Sequence, residues 1–116
     1  MKNWFYVYVL ISLLDGMFYL GYTTNLRQRV IQHNNGLNVS TAKRRPLRLI
    51  YYEAHRSQED AFRRESYFKT AKGKIMLRYI IRSSLRERQT QIAKLGNADG
   101  VYPSEASGIR QGSSVG

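Results

Sequence analysis

Arg29 and His33 stand four residues apart in "NLRQRVIQHNN", which puts them one turn apart on a single helix face. A guanidinium can hold two phosphate oxygens at once, and an imidazole can move a proton near neutral pH. Alone, such a pair is most often merely solvated; the stretch before it gives it weight. Tyr6, Tyr8, Tyr19 and Tyr22 all fall on the two apolar runs that precede the helix. Ring packing with the hydroxyl at the rim is the ordinary role of a strand tyrosine. A phenol of reference pKa about 10 is ionised to only about one part in a thousand at pH 7, so it becomes a base only where arginine or a metal lowers that value.

Glu65 is the most informative single residue. In "SQEDAFRRESYFKTA" an apolar stripe runs through Ala61, Phe62 and Phe68, and Glu65 sits inside it. An ionised carboxylate there needs a cation, a set of hydrogen-bond donors or a metal, because burying it alone is costly. On pattern alone an ion pair with Arg29 or a neighbouring arginine is favoured over a metal. A carboxylate at the solvent edge of the stripe is a third reading. The sequence carries no P-loop, no HExxH, no zinc-type histidine pair and no GxSxG. A two-metal nuclease needs several carboxylates, whereas Met1 to Arg82 offers only Asp15, Glu53, Glu59, Asp60 and Glu65. Any metal here would therefore rest on one carboxylate and many waters.

These side chains need elements to hold them. "NWFYVYVLISLLDGMFYLGYTT" predicts two strands, Phe5 to Ser12 and Met17 to Tyr22, joined by a type I′ turn at Asp15 and Gly16. Alternation puts Tyr6, Tyr8 and Leu10 on one face. Thr24 is the expected N-cap of a three-turn helix that pairs Leu26 with Val30 and stops at Gly36. A basic connection ends at Pro46, and Leu47 to Ala54 predicts a third strand. Ser57 and Asp60 have capping-box spacing and open a second helix. Gly73 is expected to break it before a third, with Ile75, Leu77, Ile80 and Ile81 available for packing. The order ββαβαα predicts an α+β fold, a small three-stranded antiparallel sheet flanked by helices. Residues 1–82 would form one domain; 83–116 would hold the end of the last helix and a flexible tail.

Charge is distributed as unevenly as the structure signals. Of 19 basic and 8 acidic residues, 15 and 5 lie between Met1 and Arg82. So one-sided a field exceeds what solubility requires and suits a polyanion, either nucleic acid or an anionic membrane surface. Lys43, Arg44 and Arg45, with Arg48, Arg63, Arg64, Lys69, Lys72 and Lys74, have the composition of a phosphate-contact surface. Gly73 at the start of a helix would add backbone N–H groups for an anion. The chain has no cysteine, which fits a reducing cytoplasm. The apolar run from Phe5 to Leu14, interrupted at Ser12, is too short to span a membrane and lacks a secretory cleavage pattern.

Taken in order, "YVY" (Tyr6, Val7, Tyr8), "YLG" (Tyr19, Leu20, Gly21), Arg29, His33 and Glu65 resemble the signature of the GIY-YIG nuclease superfamily. The small stand-alone bacterial members, related to the nuclease module of the excision-repair machinery, are the most similar. The resemblance extends through "STAKRRPLRLIYYEA" and "AFRRESYFKTAKGK" and covers Trp4 to Arg82. It implies that Glu65 holds one divalent ion, Mg2+ or Mn2+, that stabilises the leaving oxygen of a phosphodiester. It further implies Tyr8 as the base for the attacking water, Tyr19 as its support, Arg29 on the transition-state charge, and His33 assisting proton transfer or orienting Tyr8. Tyr6 replaces the glycine of the first motif, and Tyr22 stands where some relatives carry lysine. The expected function is a metal-dependent endonuclease acting on DNA in repair or recombination. The alternatives are a non-catalytic nucleic-acid-binding module with a vestigial site and, more weakly, a protein-interaction domain using its tyrosines.

Overall fold

The computed structural model describes residues 3–87, so the expected tail lies almost wholly outside the described residues. Strands β1 (Phe5–Ser12), β2 (Phe18–Thr23) and β3 (Leu47–His55) form an antiparallel sheet in the order β2-β1-β3. Helix α1 (Leu26–Asn34) follows β2, while α2 (Gln58–Phe68) and α3 (Ala71–Ile80) follow β3. The expected ββαβαα order is the observed one, with a short 3-10 turn at Ala42–Arg44 added in the basic connection.

Alternation along the central strand assigns the two layers. Val7 and Val9 pack with Ala61, Phe68, Leu77 and Ile81 of the α2–α3 side. Tyr8 and Leu10 pack with Val30 of α1 and with Leu47. Because Val9 pairs with Tyr51 and Leu10 with Leu49, Ile50 is an extra residue on β3. The bulge lets both Ile50 and Tyr51 pack on the α2–α3 layer. Fully burying side chains such as Phe68 and Leu77 contributes roughly 1.5–3 kcal/mol each.

Several local expectations are corrected by hydrogen bonding that propensity does not reveal. The hairpin closes through a loop from Leu13 to Met17 rather than a two-residue turn. Ser12 Oγ accepts from the N–H groups of Leu14 and Asp15 at 3.1 and 3.0 Å, and Asp15 Oδ1 accepts from Met17 N–H at 2.8 Å. Gly16 supplies the left-handed residue, φ +73°. The cap of α1 is Asn25, whose Oδ1 accepts from Gln28 N–H at 3.1 Å. Thr24 is thus displaced by one residue. Ser57 does occupy the N-cap of α2 but its hydroxyl makes no capping bond; Asp60 pairs with Arg63 instead.

Gly73 does not separate the last two helices. The break lies at Lys69 and Thr70, and Thr70 caps α3 by accepting from Gly73 N–H at 3.0 Å. That N–H is therefore committed to the cap rather than offered to an anion. Gly73 is buried in the first turn of α3, where any Cβ would overlap the Tyr67 carbonyl. Leu77 and Ile81 pack inward as expected, whereas Ile75 is 71% exposed.

Candidate active site

The site lies on the α1 face of the sheet. Tyr8 projects from the central strand and is fully buried, with its ring over Gly21 directly across the β1–β2 pair. A Cβ at Gly21 would collide with the Tyr8 ring and hydroxyl, so the glycine of "YLG" is a space requirement. Tyr19 stands on the same face of β2. Its ring centroid is 6.5 Å from that of Tyr8 and 5.0 Å from that of His33, the latter edge-on.

Helix α1 brings His33 into this aromatic pair instead of leaving it in solvent. His33 is fully buried, with Nε2 2.9 Å from the Tyr8 hydroxyl and Nδ1 2.7 Å from Thr41 Oγ1. Burial and then the nearby Arg29 charge hold its pKa below the usual histidine value, so the imidazole is neutral at physiological pH. Arg29, one turn earlier, is exposed to solvent along part of its length and donates from Nη1 to the Tyr22 carbonyl at 3.3 Å. Burial pushes the Tyr8 phenol up to about 12; hydrogen bonding and charge from Arg29 oppose the rise, while Tyr19 and Glu65 add to it. Thus Tyr8, Tyr19 and His33 form one cluster with Arg29 beside it, while Glu65 acts on the Tyr8 phenol through its charge and makes its own contact with Lys69.

Glu65 stands on α2, the helix of the opposite layer. Its carboxylate is 20% exposed and pairs with Lys69 Nζ at 3.4 Å, one turn along the same helix. The ion pair that accounts for its position in the stripe is therefore with lysine, not with Arg29. The stripe is itself narrower than its pattern: Ala61 and Phe68 are buried, but Phe62 is 45% exposed and lies edge-on to Tyr22. No group of three or more His, Cys, Asp or Glu side chains able to hold a metal occurs among the described residues. Glu65 nevertheless suits a hard, water-rich ion, being a partly exposed oxygen donor.

The basic residues are placed unequally. Lys43, Lys72 and Lys74 are all exposed, and Lys69 is exposed beside Glu65. Arg45 donates from Nε to the Ala42 carbonyl at 2.7 Å. Arg44 pairs with Asp15 at 2.8 Å and also donates to the carbonyls of Met17 and Phe18, so its guanidinium fastens the basic connection to the hairpin. That guanidinium lowers the Asp15 pKa to about 2.

Thr41 was not foreseen. It lies eight residues beyond His33, in a connection where no periodicity operates, and a lone threonine among turn residues carries no signal. The Glu53 cluster on the other face was missed because it joins β3 to Arg64 of α2, a pairing that no single element's pattern reveals. There Arg64 donates to both carboxylate oxygens of Glu53 at 2.9 and 3.0 Å, and Tyr51 O–H donates at 2.7 Å.

The family model for the GIY-YIG catalytic domain matches residues 4–79. The chain is 44% identical over 82 residues to a UPF0213 protein encoded in the ldhD 5′ region of Pediococcus acidilactici, covering 68% of this chain and 83% of the relative. A UPF0213 protein of Pediococcus pentosaceus is 47% identical over 68 residues, covering 58% of this chain and 70% of the relative. One from Streptococcus agalactiae is 41% identical over 76 residues, covering 65% and 85% respectively. With the domain match spanning the sheet, the three helices and every residue of the Tyr8 cluster, the chain belongs to the GIY-YIG nuclease superfamily.

Proposed function

We propose that this protein is a divalent-metal-dependent endonuclease that hydrolyses phosphodiester bonds in cytoplasmic DNA, in repair or recombination. The observation that carries the reading is the Tyr8 hydroxyl set 2.9 Å from His33 Nε2 and beside the Arg29 guanidinium. Ionised Tyr8 takes a proton from water, its O–H re-forms, and the resulting hydroxide attacks phosphorus as the bond to the leaving oxygen breaks. A phenol at about 12 is ionised to only about one part in 10⁵ at pH 7, so the site must supply the cationic help that Arg29 begins. Arg29 also meets the charge that develops on the phosphoryl oxygens, and Tyr19 braces the Tyr8–His33 pair edge-on.

Glu65 would hold the metal, with water and phosphate oxygens completing its shell. When bound, Mg2+ or Mn2+ neutralises charge on the leaving oxygen. Lys43, Arg45, Lys69, Lys72 and Lys74 supply backbone contacts, and Arg44 shapes the connection that carries the first of them. No helix among the described residues is long and apolar enough to cross a membrane.

Cleavage of labelled single-stranded, duplex and branched DNA and RNA, with magnesium, manganese or EDTA, tests the proposal. Wild type should cut DNA only with metal, and Glu65→Ala should lose on the order of 1,000-fold in rate while keeping its fold and DNA affinity. Tight, salt-sensitive binding without cutting by wild type would replace the enzyme with a binding module.

A further inference from the structure

Two hydroxyls flank one imidazole in the buried cluster, and they cannot both give it a proton. A neutral histidine offers one N–H and one lone pair. If Tyr8 donates to Nε2, then Nδ1–H donates to Thr41 Oγ1, and the threonine proton needs an acceptor elsewhere. None is present: Thr41 is 0% exposed, and His33 is the one hydrogen-bond partner of its side chain among the described residues. If Thr41 donates to Nδ1 instead, Nε2–H donates to the Tyr8 oxygen. The remaining hydroxyl proton is then that of Tyr8, whose ring lies 6.5 Å from that of Tyr19, and it is the proton that the proposed base must lose before it acts. Orphaned donors are avoided in buried sites, and only the second arrangement leaves none once Tyr8 is ionised, because the first still strands the threonine proton.

We propose that Thr41 is a positioning residue: its hydroxyl donates to His33 Nδ1 and fixes the Nε2–H tautomer, so that Tyr8 meets an N–H rather than a lone pair. The inference rests on the reading of Tyr8 as the base and decides what His33 does for it. Presenting a donor, His33 does not take the Tyr8 proton; with Arg29 it holds the phenolate. Once Tyr8 has lost its proton, every group in the chain from Thr41 through His33 to Tyr8 is paired. The backbone keeps Thr41 in place, its N–H donating to Asn38 O at 3.1 Å and its carbonyl accepting from Arg44 N–H at 2.9 Å. Ser12 Oγ in turn donates to the Arg44 carbonyl at 2.6 Å, tying this loop to the end of β1.

The tautomer is measurable without any cleavage assay. The chain has two histidines, so His55→Gln assigns the imidazole nitrogens by elimination in an isotope-labelled, full-length sample at about pH 8. His33 Nδ1 should resonate as an unprotonated nitrogen and Nε2 as an N–H. The reverse pattern in wild type overturns the proposal even if the protein cuts DNA, and the expected pattern stands even if it does not. Thr41→Val should lose the single tautomer, lower kcat on the order of 100-fold with KM unchanged, and move the rising limb of the kcat–pH profile, which reports ionisation of the base, to higher pH. Thr41→Ser should restore all three. A Thr41→Val chain that folds and keeps the wild-type tautomer also overturns it. Should that variant not fold, the wild-type and Thr41→Ser spectra still decide.

Discussion

The sheet carries a polar network on each side, and the two are built to opposite rules. On the α2–α3 side Glu53 accepts from both nitrogens of Arg64 and from Tyr51 O–H, and lies 3.2 Å from His55 Nε2. Burial alone would raise its pKa, but the bonds from Arg64 and Tyr51 outweigh it and hold the carboxylate below its ordinary value. The Arg64 guanidinium also lies 4.4 Å over the Phe68 ring. Charge, hydrogen bonds and aromatic contact are all matched internally. On the α1 side Tyr8, His33 and Thr41 form an uncharged chain, and the neighbouring Arg29 reaches a backbone carbonyl and the Tyr8 phenol rather than a carboxylate. A compensated ion pair secures packing and has no capacity left for a ligand. Among the described residues Arg29 has only neutral partners, so it keeps most of its field for an arriving anion, as the proposed reaction requires.

Breaking each network should therefore give opposite phenotypes, and the largest effect belongs to Arg29. Arg29→Ala should reduce cleavage on the order of 1,000-fold while shifting the denaturation midpoint little, measured by single-turnover cutting and urea melts. Next comes Arg64→Ala, which strands the Glu53 charge in a side chain only 16% exposed. Because Arg64 itself is 33% exposed, the loss is discounted from the buried-pair range to about 2 kcal/mol, with cleavage per folded molecule retained. If Arg64→Ala lost cutting without losing stability, the division of labour between the faces would be wrong.

The smallest effect sharpens the comparison through pH. The folded-state pKa of His33 lies below its unfolded value of 6.5, so below that pH the unfolded chain binds the extra proton. Its contribution to stability is present above about 6.5 and is lost as pH falls through that value toward the lowered folded one. Urea melts at descending pH should show wild type weakening relative to His33→Gln across this window, the difference cancelling the other titrating groups. A constant difference would mean that His33 is not held neutral.

Much of the site was legible because its signals are local. The four-residue spacing of Arg29 and His33, the alternation that puts Tyr8 and Tyr19 on strands, and the glycine in "YLG" each depend on a single element's geometry. Where an expectation failed, a contact between distant segments had intervened. Gly73 looked like a helix breaker because glycine is a poor helix former, yet its role is to let α3 approach the Tyr67 carbonyl. Ile75 looked like core by pattern, but α3 has a single buried line through Gly73, Leu77 and Ile81, and Ile75 falls off it. Arg44 read as one more cation until the fold brought Asp15 to it from 29 residues away.

By itself the sequence determined the strands, the helices, their order and the residue types able to act on a phosphodiester, because periodicity, turn chemistry and charge are properties of neighbouring residues. Tertiary structure alone decided that His33 is enclosed between Tyr8 and Thr41, and that Glu65 pairs with Lys69 on the helix of the opposite layer. It also decided which basic residues face outward and which are bound to an acid. Those outcomes depend on how β1 divides its side chains between two packed layers, and on desolvation that no stretch of chain imposes on itself.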